Sequence, residues 1–227
     1  SRDWSSDVCS SDLLRGEVIE EIDDEQLLGL QLQNDLKWNK HLKKINCKIN
    51  YGLYQMKQVA HHIDKKTLRM IGEGMVMSHI RYCLSTYGAS IVRIQTDDPT
   101  SVMLKHLQIL QNKMLRIIGR HRLQDQIPTE QLLKQNNMNS INQMIAYSIL
   151  MDFWKAKNLD VRPIMSHFEE RSSMRYQGHY KNNSDPDSFV STAAKLWSMA
   201  PRRLRTTNLL TVAKKNAMEF VRTCMLF

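Results

Sequence analysis

The spacing of apolar residues changes once, abruptly, near the start of the chain, and that change constrains everything after it. From Leu27 to Gln33 the residues alternate, with Leu28, Leu30 and Leu32 on one side and Gln31 and Gln33 on the other, which is the period of a half-buried strand. Asn34-Asp35 predicts a turn, because both side chains can hydrogen-bond their own backbone. Beyond Trp38 the apolar residues Leu42, Ile45, Ile49, Leu53, Met56 and Ile63 recur at helical spacing. Lys40, Lys43, Lys44 and Lys48 fall off that stripe. A strand, a turn and a helix with an apolar back and a basic front follow. Such an arrangement holds cations over a surface and offers no group for bond-breaking chemistry.

Charge sharpens this reading. The chain of 227 residues carries a net +9, the signature of a polyanion-binding surface, although a basic but solvated surface stays open on composition alone. Residues 14–36 are acidic (Glu17, Glu20, Glu21, Asp23, Asp24, Glu25 and Asp35 against Arg15), whereas residues 37–122 hold sixteen Lys or Arg against four Asp or Glu. Hydrophobic residues at 42% and charged residues at 24% argue against wholesale disorder. No run approaches the ~18 apolar residues of a membrane span, and no secretory signal is expected. The four cysteines lie far apart without a Cys-x-x-Cys pair, which points to a reducing compartment.

The remainder predicts a mainly α chain. A first helix covers about 38–63 and a second about 64–82, with Leu68, Ile71, Met75 and Ile80 inward and Gly72 and Gly74 marking a close approach or a bend. Residues 85–89 read as punctuation. A third helix opens at Asp98-Pro99, carries Leu104, Leu107, Leu110, Met114, Leu115 and Ile118 inward, and closes with Gly119 as a left-handed cap. Lys105, Lys113, Arg116, Arg120 and Arg122 add charge along and beyond it, partly explained as complements to the helix dipole. Pro128 starts a short helix through Lys134 that Asn136-Asn137 breaks. Ser140-x-x-Gln143 is a capping box opening a helix to about Lys157. Residues 158–187 read as a loop. Ser188 or Asp187 caps a helix stopped by Pro201, and a last helix covers about 209–221.

No catalytic centre and no metal site emerge. Metal-dependent nucleotidyl transfer needs carboxylates converging on two ions about 4 Å apart; Asp23-Asp24 has no partner carboxylate in suitable context and reads as a solvated loop. None of the eight histidines shows ligand spacing. His41, one turn after Trp38, is a packing or capping residue. Neither a Gly-x-Ser-x-Gly elbow nor a glycine-rich phosphate loop is present.

Several ordered blocks carry a resemblance. Leu28-Gly29 with Leu36-x-Trp38-x-x-His41, Ser78-His79-Ile80-Arg81-Tyr82 with Tyr87-Gly88, Leu107-Gln108-x-x-Gln111-Asn112-Lys113, Pro128-Thr129-x-x-Leu132-Leu133, and Ser188 to Pro201 followed by Ala213-Lys214-Lys215 are similar to the C-terminal half of non-LTR retrotransposon reverse transcriptases. The resemblance implies a helical thumb-like bundle with a short N-terminal β element and a C-terminal helical extension: 14–36 the end of the palm, 37–122 the basic thumb, 123–157 its helical continuation, 158–187 a linker and 188–227 a C-terminal helical segment. It implies that Leu28 and Gly29 lie near a primer terminus, as a primer grip. Lys40, Lys43, Lys44, Lys48, Lys113, Arg116, Arg120 and Arg122 would neutralise phosphates of an RNA–DNA or DNA duplex. Fingers, most of the palm and the Mg-binding carboxylates would belong to a missing portion of the same polymerase, leaving this chain inactive alone, without cofactor, small-molecule substrate or membrane partner. A nuclear or cytoplasmic retrotransposon particle is the expected setting. Residues 1–13 resemble translated sequencing-adapter sequence and are excluded from the fold. Two other readings remain: an autonomous helical nucleic-acid-binding module, and a helical protein-interaction scaffold.

Overall fold

A computed structural model describes residues 13–14, 17–18, 22–35, 37–94, 101–159, 165–166, 168–170, 180–181 and 188–224. The chain is mainly α-helical and separates into two compact units, residues 1–43 and 44–227. The division falls inside the first helix, α1 (Asn39–Val59).

In the first unit a two-residue ladder, β1 (Leu13–Leu14) with β2 (Glu17–Val18), precedes a hairpin of β3 (Asp24–Leu27) against β4 (Leu30–Gln33). The Leu27–Leu30 pair leaves Leu28 and Gly29 as a two-residue loop with φ of 48° and 86°. Loops with both φ positive match the twist of the flanking strands. Gly29 adopts that conformation freely, whereas a leucine does so at a cost of about 1–2 kcal/mol. This corrects the sequence expectation that Leu28 continues the strand alternation: pairing of 24–27 with 30–33 makes it the hairpin tip. Asp24, expected in a solvated loop, instead begins a strand and binds Lys40 Nζ at 2.6 Å. Gln33 Oε1 accepts the Lys40 backbone N–H, so the start of α1 is tied to the hairpin. The expected turn at Asn34-Asp35 is present, with Asp35 accepting the Lys37 N–H.

In the second unit α1 buries Ile45, Ile49, Leu53 and Met56, the helical stripe read from the sequence. Asp64 caps α2 (Lys65–Gly72), accepting from the N–H groups of Lys66 and Thr67. The chain then runs through one π turn (Glu73–Met77) into α3 (Ser78–Arg81), where a single helix with a close approach or a bend at Gly72 and Gly74 was expected. The two glycines separate in role. A Cβ on Gly72 would lie 3.0 Å from both Met114 Sδ and Met56 Cε, so α1, α2 and the later helix α5 meet there; at Gly74 it would meet nothing within 4 Å.

Residues 85–88 of the stretch 85–89 expected as punctuation belong instead to a short helix, α4 (Leu84–Gly88), set off from α3 by Cys83 at φ 51°, and Ala89 follows as its C-cap. Burial explains the difference: Tyr87 is fully enclosed and donates its hydroxyl to the Ile80 carbonyl. Gly88 lies under Ile145, whose Cγ2 would be 2.7 Å from an added Cβ.

Helix α5 (Val102–Gly119) is capped by Ser101; the expected opening at Asp98-Pro99 lies outside the described residues. Its end is a second correction. The left-handed residue is Arg120, at φ 56°, with the N–H groups of His121 and Arg120 returning to the carbonyls of Arg116 and Ile117, a Schellman turn. Gly119 is needed for another reason: a Cβ there would be 2.3 Å from the His121 ring, which folds back over it.

A 3-10 turn (Leu123–Asp125) leads to α6 (Thr129–Gln135) after Pro128. Asn137, at φ 46°, closes α6 with the Met138 N–H on the Leu133 carbonyl. The capping box of Ser140 and Gln143 then opens α7 (Ile141–Asn158) as expected. Residues 158–187 lie mostly outside the described ones, which include the ladder β5 (Glu169–Glu170) with β6 (Tyr180–Lys181). Ser188 caps α8 (Phe189–Met199); Asp187, the other candidate cap, lies outside the described residues. A short α9 (Arg202–Thr206), not foreseen, follows Pro201, and α10 (Leu210–Cys224) ends the described chain. Helix α7 is buried over most of its circumference, with Ser148, Asp152 and Lys155 on its outer face; it packs on α4, α5, α8 and α10. The Phe153 ring sits 4.7 Å from those of both Phe168 and Trp197, and Trp154 Nε1 donates to the Thr207 carbonyl at 2.9 Å.

Alanine at the two contrasting glycines should move stability in opposite directions in urea denaturation. Gly88→Ala should destabilise by about 1–3 kcal/mol through overpacking against Ile145. Gly74→Ala, with open space, should stabilise by up to ~1 kcal/mol.

Candidate nucleic-acid interface

Helix α1 contains no acidic residue among its 21 positions, and its core-facing arc is apolar or glycine apart from the buried His41. The arc away from that face carries its other cations, while Lys48 stands at the edge of the buried face. In the first unit that arc holds Lys40 and Lys43, both exposed. Lys40 is committed to Asp24, and its ammonium is the main reason the Asp24 carboxyl lies below the usual range. His41 is buried, accepts the Gln31 N–H at Nδ1, and packs edge-on to Trp38. That is the packing role the sequence suggested.

In the second unit α1 continues with half-buried Lys44 and exposed Lys48 and Lys57. Between the last two stand Tyr51 and Tyr54, 63% and 61% exposed. At about 100° per residue, the tyrosines occupy the middle of the outer arc and the lysines its margins. Sequence reading passed over Lys57 and both tyrosines. The available signal was their phase: they share the period of the lysines rather than that of Ile45, Ile49 and Leu53.

The cations of α5 are placed differently. Lys113 is exposed. Arg116 is half-buried, and its Nη2 donates to the Ile127 carbonyl at 3.2 Å. Arg120 Nη2 donates to the Ile63 carbonyl at 2.9 Å, and Arg122 is exposed with its backbone N–H on Asp125. The structure thus brings Arg120 to the junction of α1 and α2, while Arg116 braces the segment before α6. Each guanidinium keeps its charge and further N–H donors, but its orientation is set by backbone carbonyls. Leu28 and Gly29 form the tip of the hairpin in the first unit, with Leu28 80% exposed.

The amide side chains of the Leu107–Lys113 block turn inward. Gln108 bridges Gln111 and Asn112 through Nε2, and its Oε1 accepts the first N–H of α7, from Ile141. Gln111 donates to the Asn139 carbonyl and Asn112 to Thr129 Oγ1. These side chains join α5 to the starts of α6 and α7, and their work is architectural. Among the described residues no group of three or more His, Cys, Asp or Glu is placed to hold a metal ion, and no helix is long and apolar enough to cross a membrane.

One titratable group reports on α1. Burial, and secondarily the Lys48 ammonium, hold the His79 imidazole below its ordinary value of 6.5. The folded state therefore prefers neutral His79: its contribution to stability is present above about pH 6.5 and is lost as pH falls. Stability measured from pH 7.5 down to 5.5 should decline less steeply in His79→Gln than in the parent chain. A polyanion bound beside Lys48 should raise the His79 pKa, read from its imidazole proton shifts.

No family model, curated protein or solved structure matches the chain.

Proposed function

We propose that the chain holds a nucleic-acid duplex by its sugar–phosphate backbone, acting as the thumb-like part of a polymerase similar to non-LTR retrotransposon reverse transcriptases. The observation that carries this reading is the outer arc of α1: lysines without an intervening acid, flanking two exposed tyrosines. Lysine ammoniums neutralise phosphates without reading bases, and an RNA–DNA hybrid is recognised largely through shape and backbone. Tyrosines among lysines offer a flat, sequence-tolerant surface to sugars and unpaired bases. Lys113 and Arg122 are further exposed cations, on and just beyond α5, whereas Arg116 and Arg120 carry charge at carbonyl-anchored positions. Lys40 takes part only by giving up Asp24. In this reading the reaction itself, with its Mg ions, belongs to carboxylates outside this chain, and the setting is a nuclear or cytoplasmic retrotransposon particle. The order of the sequence blocks from Leu28 to Lys215 supports the polymerase context; the inward roles of Gln108, Gln111 and Asn112 support it only as shared architecture.

Fluorescence anisotropy with an RNA–DNA hybrid over a range of salt concentrations tests the reading. With ~4–6 phosphates engaged, log K should fall against log salt with a slope of roughly −3 to −5. Replacing Lys44, Lys48 and Lys57 together by glutamine should reduce that slope by about one per lysine. A slope near zero for the parent chain would remove the proposal.

A further inference from the structure

A cleft of about 570 Å³ opens in the second unit between the first turn of α2, the turn closing α5 and the end of α6. Its volume is that of a small-molecule site, ~300–1,000 Å³. Lys65, Lys66 and Arg69 of α2 line it together with Gly119, His121 and Asn136, and the residues lining it include no acid.

The cations are costly where they stand. Lys65 and Lys66 occupy the first turn of α2, where the helix dipole presents its positive end and favours anions. Lys65 and Arg69 are four residues apart on one helical face, a like-charge spacing that destabilises a helix. None of the three forms an ion pair with a described residue. The nearest acid in sequence, Asp64, has its carboxylate occupied by the N–H groups of Lys66 and Thr67 and by the Thr67 hydroxyl. Glu73, one turn beyond Arg69, is bound to Arg81.

A structural role for the cluster would be to complement the carbonyl ends of α5 and α6. Two of the last carbonyls of each helix already have partners. Arg120 and His121 N–H groups return to Ile117 and Arg116, and the N–H groups of Asn137 and Met138 to Lys134 and Leu133. Gly119 admits the His121 ring over its Cα, which adds an imidazole to the wall. Arg120, through its bond to the Ile63 carbonyl, stands beside the start of α2.

We infer that this cleft is a phosphate-binding site, in which the ammoniums of Lys65 and Lys66, the guanidinium of Arg69 and the His121 ring receive one phosphate group of a polynucleotide strand. The phosphate chemistry follows from the cluster itself; only the polynucleotide as its source rests on the function proposed above. Lysines supply point charges, and the arginine supplies a fork matched to two phosphate oxygens.

Titration of the whole chain with inorganic phosphate, followed by amide shifts in two-dimensional NMR, tests the site directly. Saturable shifts are expected at Lys65, Lys66, Arg69 and His121, with at least a tenfold weaker response in the double variant Lys65→Gln/Arg69→Gln. Shifts spread over all basic residues without saturation would overturn it. Melting in phosphate-free buffer gives a second reading that needs no ligand: the double variant should melt higher than the parent, because like-charge repulsion has been relieved. A lower melting temperature would mean that the cations brace the ends of α5 and α6, and would also overturn it. Hybrid-duplex binding separates the source. A severalfold loss of affinity in the double variant assigns the phosphate to the strand. Unchanged duplex binding with saturable inorganic phosphate overturns the polynucleotide source. A parent chain that binds phosphate in the cleft but no duplex at any salt removes the proposed function and leaves the phosphate site standing.

Discussion

Helix α7 buries most of its circumference and leaves only the face of Ser148, Asp152 and Lys155 toward water, and the second unit is built around that constraint. Ile145, Ile149, Leu150 and Phe153 are fully buried. At roughly 1.5–3 kcal/mol for each large apolar side chain removed from water, enclosing this helix outweighs any single polar contact in the unit. The surrounding helices meet the demand by close approach. Gly88 lets α4 descend onto Ile145, Trp197 of α8 closes over Phe153, and Phe220 and Val221 of α10 are buried in turn. A helix whose first turn is buried also needs its first N–H groups satisfied without water. Ser140, Gln143 and Gln108 do this from three directions.

That demand bears on how the ordered sequence blocks are understood. Tyr87-Gly88, Gln108, Gln111, Asn112 and Trp197 all belong to the resemblance, and all of them serve the enclosure of α7 or its junctions. Positions of this kind are fixed by packing and by hydrogen bonding in a low-dielectric interior. The cations on the outer arc of α1 are under no such restraint, so their function has to be argued from surface electrostatics alone.

The helical stripe of α1, the capping box of α7 and the Ser188 cap were legible because each is a local rule acting within one or two turns. What escaped depended on distant neighbours. Residues 85–89 look like loop material until Ile145 is placed above them, since serine, threonine and glycine become helical there through burial rather than propensity. Gly119 attracted the role of left-handed cap that Arg120 takes, because the close approach of the His121 ring is invisible in sequence. The candidate interface was partly legible. The lysines of α1 announce themselves by phase, whereas the Lys65–Arg69 cluster gains meaning only when the ends of α5 and α6 close a cleft against it.

The π turn between α2 and α3 sets the phase of everything beyond it. In an unbroken α-helix, Leu68 and Ile80 would stand about 120° apart around the axis. Both are fully buried, which becomes possible because a π turn accommodates one extra residue. Residues 73–77 therefore act as an insertion that local helix geometry does not require and the core does. A lineage that lost one of them would keep a smoother helix and swing Ile80, with the carbonyl that receives Tyr87, out of line with the rest of the bundle.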